Sequence, residues 1–161
     1  MHSINIPEDR VPVLVGKKGG TKRRIQDLTG TKITVEGPAV VIEGDPLGEL
    51  KALDMVHAIG RGFSPKKALT LNEEEMVFEL IPITDYAHTT NSITRLKGRL
   101  IGEKGRARRN LERLTRTRIS VYGKTVGLIG KIDDVEEAKQ AVVMLLSGSK
   151  HQTVYNMLYQ D

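Results

Sequence analysis

The sequence predicts an α+β protein made of two copies of one β-α-α-β-β-α module, each a three-stranded antiparallel sheet packed on three helices. Three observations lead there. The chain repeats itself at an offset of 86 residues, each repeat alternates between strand and helix periodicity in the same order, and 161 residues with 39% hydrophobic content suffice for two small cores. Val15 to Val35 lies on Ile101 to Val121 without a gap, and the register continues through Gly37/Gly123, Val40/Val126 and Gly44/Gly130. Over positions 15–44, twelve of thirty residues are identical between the copies, which marks a duplication.

Within the first copy, Ser3 to Ile6 alternates as a strand does, and Pro7 followed by Glu8 and Asp9 suits the first turn of a short helix that must stop at Gly16. After Gly19, Ile25 and Leu28 stand three apart among charged residues, the pattern of a helix with one buried stripe, and Thr29-Gly30 ends it. Lys32 to Val35 and Ala39 to Ile42 flank Glu36-Gly37-Pro38 and read as a hairpin. Asp45-Pro46 then opens a helix on which Leu47, Leu50, Leu53, Met55, Val56 and Ile59 recur at helical spacing. The second copy repeats this from about Met76 to Leu146, with extra residues around Thr84 to Ile93. The expected domains are 1–60 and 76–147, joined by an extended linker, 61–75, and followed by a tail, 148–161. The linker has an apolar face of Ile59, Phe63, Ala68, Leu69 and Leu71.

Charge is concentrated. The net +5 hides +5 between Lys17 and Lys32 and +8 between Arg95 and Arg118, so the remainder sums to −8. One basic run is as well explained by a solvated helix face as by a polyanion site, but two in matching positions favour the polyanion. The absence of cysteine removes disulfides, thiolate metal sites and cysteine nucleophiles, and His2, His57, His88 and His151 lack ligand spacing, so neither metal nor cofactor is expected. No apolar run reaches 18 residues and the N-terminus shows no basic-then-apolar leader, so a cytoplasmic protein with no membrane association is expected. Gly16 to Lys22 does not supply a GxxxxGK[ST] phosphate loop, and no nucleophile, base and orienting group present themselves, so an enzyme is not expected.

A Gly-x-x-Gly turn between two helices, preceded by an aliphatic residue and followed by a helix that Thr closes, occurs twice: Val15-Gly16-Lys17-Lys18-Gly19 with Ile25 and Thr29, and Ile101-Gly102-Glu103-Lys104-Gly105 with Leu111 and Thr115. This resembles the type I KH domain. Glycines at both ends of the turn would let a nucleic-acid backbone approach, and the following helix offers free N–H groups to phosphate. By resemblance the loop clamps about four nucleotides of single-stranded backbone with the bases in an adjacent groove. With 4% aromatic residues and no Trp, stacking platforms cannot carry recognition, whereas an aliphatic groove can. The resemblance gives its walls as Leu14, Val15, Ile33 and Val35, and Leu100, Ile101, Ile119 and Val121; for Ile33 and Ile119 an ordinary core role is an equal reading. The RNA-binding residues so implied are Gly16, Lys17, Lys18, Gly19, Lys22, Arg23 and Ile33, and Gly102, Glu103, Lys104, Gly105, Arg106, Arg108, Arg109 and Ile119.

Two departures stand out. Three residues past the second glycine, where KH domains usually carry isoleucine, the copies have Lys22 and Arg108, and Glu103 puts a carboxylate inside the second loop. The stretch Ala58 to Pro65 with Lys66 to Leu69, together with Leu114 to Ile119 and the tail Leu146 to Tyr155, resembles the Partner-of-Nob family of small-subunit ribosome assembly factors in its archaeal form. That implies binding near the 3′ end of small-subunit pre-ribosomal RNA and cooperation with the Nob endonuclease. A monomer is expected. A KH-based protein-interaction adaptor or a general RNA-binding regulator is the alternative.

Overall fold

The structure, a computed structural model, describes residues 1–159; the last two residues of the expected tail lie outside the described residues. The chain divides into two compact units at the start of the fourth strand, one from Met1 to Met76 and one from Val77 on.

In the first unit β1 (His2–Asn5) is followed by a 3-10 turn (Glu8–Arg10), with acidic residues at its start, and α1 (Val11–Val15), kept short by Pro12 and by Gly16. The loop leads into α2 (Gly20–Thr29), then β2 (Lys32–Glu36), β3 (Ala39–Glu43) and α3 (Pro46–Gly60). The sheet order is β1-β3-β2, all antiparallel, with Ser3 opposite Val41 and Ile33 opposite Ile42. Ile33, Val40 and Ile42 point from the sheet into a core closed by Leu14, Ile25, Met55, Val56 and Ile59, all but excluded from water. The predicted stripe of α2 is corrected: Ile25 and Thr29 are buried, whereas Leu28 is 38% exposed. Residues i and i+4 share a face more closely than i and i+3 when the packed stripe is only one residue wide. Likewise Leu47 and Leu50 stand out in solvent at the start of α3, and the core takes Ala52, Met55, Val56 and Ile59 instead.

The second unit repeats the plan with β4 (Met76–Pro82), a 3-10 turn (Ile83–Asp85), α5 (Thr90–Ile101), α6 (Arg106–Thr115), β5 (Arg118–Tyr122), β6 (Thr125–Lys131) and α7 (Ile132–Leu146), and its sheet order is β4-β6-β5. The extra residues before α5 end in a capping box, where Thr89 Oγ1 accepts from Ser92 N and Ser92 Oγ from Thr89 N.

The segment expected to be an extended linker is helical. Ser64 caps α4 (Pro65–Ala68), which runs into a 3-10 turn (Leu69–Asn72), and both pack on α3. Phe63, Ala68 and Leu71 are buried there, each side chain contributing roughly 1–3 kcal/mol through apolar surface removed from water. The expected tail likewise forms α8 (His151–Tyr159), laid across α6 and α7 with Val154 and Leu158 buried. Offset by 86, Pro65 falls on His151, Ala68 on Val154 and Gly62 on Gly148, and both of these glycines hold positive φ, 100° and 106°. Even the anchoring matches: the Phe63 carbonyl accepts from Arg10 Nη2 at 2.9 Å, and the Ser149 carbonyl accepts from Arg99 Nη2. The module is therefore longer than its sequence identity, and a fourth helical piece covers each helix pair.

Candidate nucleic-acid interface

Each GxxG turn is built by its backbone. Gly16 N–H donates to the Pro12 carbonyl at 2.9 Å and Gly19 N–H to the Gly16 carbonyl at 3.2 Å, while Gly102 N–H bonds Gly98 at 2.8 Å and Gly105 N–H bonds Gly102 at 3.2 Å. The turns superpose in dihedral terms as well: φ is 76°, 53° and 73° at Gly16, Lys18 and Gly19, and 73°, 54° and 75° at Gly102, Lys104 and Gly105. The first glycine has a structural reason beyond ligand approach. A Cβ on Gly16 would lie 2.3 Å from Thr21 Oγ1, and one on Gly102 would lie 2.7 Å from Ala107 Cβ, so a side chain there would force α1 off α2 or α5 off α6. At Gly19 and Gly105 the nearest atom is a guanidinium nitrogen of Arg23 or Arg109, 3.0 Å away, with Arg108 Nη2 a further neighbour of Gly105 at 3.9 Å, and these are the far ends of flexible side chains that can move for a ligand.

No side chain caps α2 or α6, because Gly19 and Gly105 are their N-caps; Gly20 N–H and Arg106 N–H donate to the Lys17 and Glu103 carbonyls, and the next N–H groups of each first turn have no side-chain partner among the described residues. Such groups and the helix dipole are suited to an anion, and Lys17, Lys18, Lys104, Arg23, Arg106 and Arg109 are exposed on the same loops and helix starts. Glu103 is exposed in the same ring.

The groove residues divide. Val15, Val35, Ile101 and Val121 are half-buried and keep part of their apolar surface in solvent, but Ile33 and Ile119 are 2% and 4% exposed and belong to the cores with Leu14 and Leu100. Ile33 and Ile119 thus take the core role, one of their two equal readings; they share a strand face with Val35 and Val121, two residues on, and differ from them in depth of burial. Beside the groove, Gln26 Oε1 accepts from Ile33 N at 2.8 Å and Glu112 Oε2 from Ile119 N at 2.9 Å, tying helix to strand in both units. Glu112 also holds Arg108, Nη1 to Oε1 at 3.0 Å, so this base is held in place whereas Lys22 has an uncharged Gln26 at the corresponding position. At the far end of each helix, Thr29 Oγ1 donates to Ile25 O at 2.7 Å and Thr115 Oγ1 to Leu111 O at 2.6 Å, and each hydroxyl also meets that of Thr31 or Thr117 at 2.8 Å. This buried pair explains why Thr closes both helices.

The helical linker adds something that sequence reasoning missed. It brings Pro65, Lys66 and Leu69 beside Lys17, Gly20, Thr21 and Arg24, leaving an open concavity of about 540 Å³ next to the first loop. The only signal in the sequence was the apolar spacing of Phe63, Ala68 and Leu71.

Two β-α-α-β-β-α units, each with a glycine-bounded turn at the start of its second main helix, define a tandem type I KH protein. Residues 1–58 match the family described as KH domain, and residues 77–161 match the one described as eukaryotic type KH-domain (KH-domain type I). A KH domain-containing protein of Methanocaldococcus jannaschii is 46% identical over 98% of this chain and 72% of its own length. The RNA-binding protein pno1 of Dictyostelium discoideum is 29% identical over 86% of this chain and 55% of its own, so the chain spans about half of that relative. The solved a/eIF2α–aDim2p–rRNA complex of Pyrococcus horikoshii contains a chain 43% identical to this one, with a TM-score of 0.92 over 99% of this chain and 92% of that chain. The chain belongs to the KH-domain family, in the group that holds the Pno1 (Partner-of-Nob) and Dim2p proteins.

Proposed function

We propose that this protein binds single-stranded RNA of the small ribosomal subunit near its 3′ end, acting by binding and not by catalysis, as an assembly factor in the cytoplasm. The observation that carries this is the duplicated turn: two uncapped helix N-termini in the same backbone conformation, each ringed by exposed bases and flanked by half-buried aliphatic side chains. Phosphates would meet the N–H groups and bases would lie on Val15 and Val35 or Ile101 and Val121. That a 43% identical protein is found in a complex with rRNA and a/eIF2α supports a ribosomal target. A monomer working beside the Nob endonuclease fits the family membership.

The test is crosslinking of the protein to RNA in native extracts, followed by sequencing of the bound fragments. Enrichment of the 3′ end of small-subunit RNA is the expected result. Fragments scattered over unrelated transcripts would make it a general regulator, and the absence of crosslinked RNA would make it an adaptor.

A further inference from the structure

Beside the loop of the second unit lies a basic surface that includes none of the residues Gly102 to Gly105. Arg109, Arg113 and Arg116 follow one another at intervals of four and three residues, a single stripe along α6, and Arg118 joins them from the first residue of β5. With Glu112 and Thr117 they line an open concavity of about 480 Å³. The one carboxylate there is already engaged by Arg108 and by the Ile119 N–H. Among the described residues none of the four guanidinium groups forms an ion pair or a hydrogen bond, and all four are exposed.

Backbone geometry gives an independent reason to take the stripe seriously. Arg116 closes α6 in the left-handed conformation, φ 59°, a position that Gly30 fills in the first unit at φ 66°. Glycine is the inexpensive residue for such a cap, and an arginine held there bears strain that nothing in the fold requires. The first unit has Arg23, Asp27, Gly30 and Lys32 at the four corresponding positions, so its surface is far less positive. From Arg109 to Arg116 the stripe runs about 10 Å along the helix, longer than a single phosphate needs. Arginine in this density suits phosphate, which its planar fork can bind with two hydrogen bonds.

We propose that the arginine face of α6 binds a second stretch of RNA backbone through its phosphates, outside the groove opened by the Gly102–Gly105 loop. Arg109, whose guanidinium lies over Gly105, makes the face continuous with the loop, so one strand can leave the groove and run along α6. The inference rests on the RNA-binding reading above.

The experiment uses the full chain and two RNAs, a pyrimidine hexamer long enough for the roughly four nucleotides of a KH groove and an RNA of about twenty nucleotides containing it. Arg113→Glu with Arg118→Glu should weaken binding of the long RNA about tenfold and reduce its salt slope by about 0.7 for every phosphate no longer neutralised, with hexamer binding unchanged within about twofold. Arg116→Gly should weaken the long RNA about threefold while the protein's melting temperature stays equal or rises, because the strain goes with the charge. Lys104→Asp should weaken both RNAs. Equal losses on hexamer and long RNA would overturn the proposal by making the arginines part of the groove's general field. Unchanged binding of both, or a loss confined to poly-glutamate used as an acidic-protein probe, would overturn it as well. If the unsubstituted protein binds neither RNA, the functional reading itself fails, which is a different result from any of these.

Discussion

The loops of the two units are the same object in backbone and different objects in charge. Lys17 and Lys18 stand where the second unit has Glu103 and Lys104, and the helix that follows carries Arg23, Asp27 and Gly30 in one unit against Arg109, Arg113 and Arg116 in the other. Dihedral angles at the turn agree within a few degrees because they are set by helix packing across Gly16 and Gly102, which tolerates no side chain. Charge on exposed positions costs little stability and is free to diverge. The covering helices show the same separation: α4 with its 3-10 turn and α8 keep their place on the helix pair, while Phe63 in one becomes Ser149 in the other. Leu47 and Leu50, in solvent on α3, correspond to Asp133 and Glu136 on α7. Position in the fold is shared, and surface chemistry is what distinguishes the units.

Phe63→Ala should have the largest effect, destabilising the first unit by about 3–5 kcal/mol, because a buried aromatic ring is removed from under α4. Calorimetry or chemical denaturation checks it, and the Ser149→Ala change at the corresponding site should cost less than about 1 kcal/mol, since Ser149 is held there through its backbone, the carbonyl by Arg99 and the N–H by the Met144 carbonyl. A loss below about 1 kcal/mol for Phe63→Ala would return residues 61–75 to the status of a linker.

Replacing Lys17 and Lys18 together by Asp should weaken RNA binding about tenfold without changing the melting temperature, as on the proposed function these charges meet phosphate, and exposed charges add little to stability. Lys104→Asp should weaken it at least as much, which filter binding at two salt concentrations measures. Should the first pair matter more, the second unit is not the stronger anchor.

Glu103→Lys should raise affinity a few-fold, for pyrimidine-rich and purine-rich RNAs alike, since an exposed carboxylate beside a phosphate costs on the order of 1 kcal/mol in water and a phosphate effect is blind to sequence. A gain for one sequence only would show that Glu103 reads a base.

The smallest effect is on pH dependence and belongs to the first unit. Burial, followed by the charge of Arg61, holds His57 below its ordinary pKa of 6.5. Between its lowered value and 6.5 the unfolded chain binds more protons than the folded one, so stability is fully present above 6.5 and is lost as pH falls through that window. Burial raises Asp54 above its ordinary 3.8, which has the opposite sign, so stability from that group is gained as pH falls toward 3.8. The corresponding residues of α7 are Gln140 and Val143, which do not titrate. His57→Gln should therefore flatten the stability of the first unit as pH falls from 6.5, while Asp54→Asn leaves that slope in place. A slope that survives His57→Gln would assign it elsewhere.

Much of the fold could be read directly. The 86-residue offset, the twin glycine turns and the period-two hairpins placed the strands and main helices within a residue or two, because glycine, proline and periodicity act locally. The bases around the turns, Lys17, Lys18, Lys104, Arg106 and Arg109, are exposed, as charged residues on a turn and a first helical turn ordinarily are. Harder to read were the positions whose meaning depends on what lies above them. Ile33 and Ile119 look alike as core or as groove until the third strand and the Gln26 or Glu112 hydrogen bond fix which side is covered. The fourth helical pieces share a single identity with each other over 61–72, Gly62 with Gly148, since any apolar residue of suitable size can cover a helix pair.

By itself, then, the amino-acid sequence determined the duplication, the backbone of both turns and the concentration of positive charge around them. The duplication is read from the repeat itself, the turns from glycines that take positive φ without a Cβ penalty, and the charge from residues that carry it wherever they stand. Only the tertiary structure decided that 61–72 and 151–159 are covers and not connectors, that Glu112 restrains Arg108, and that Arg109, Arg113, Arg116 and Arg118 gather around one concavity. Those outcomes depend on which surfaces meet in space, and a helix stripe becomes a site only when a strand arrives beside it.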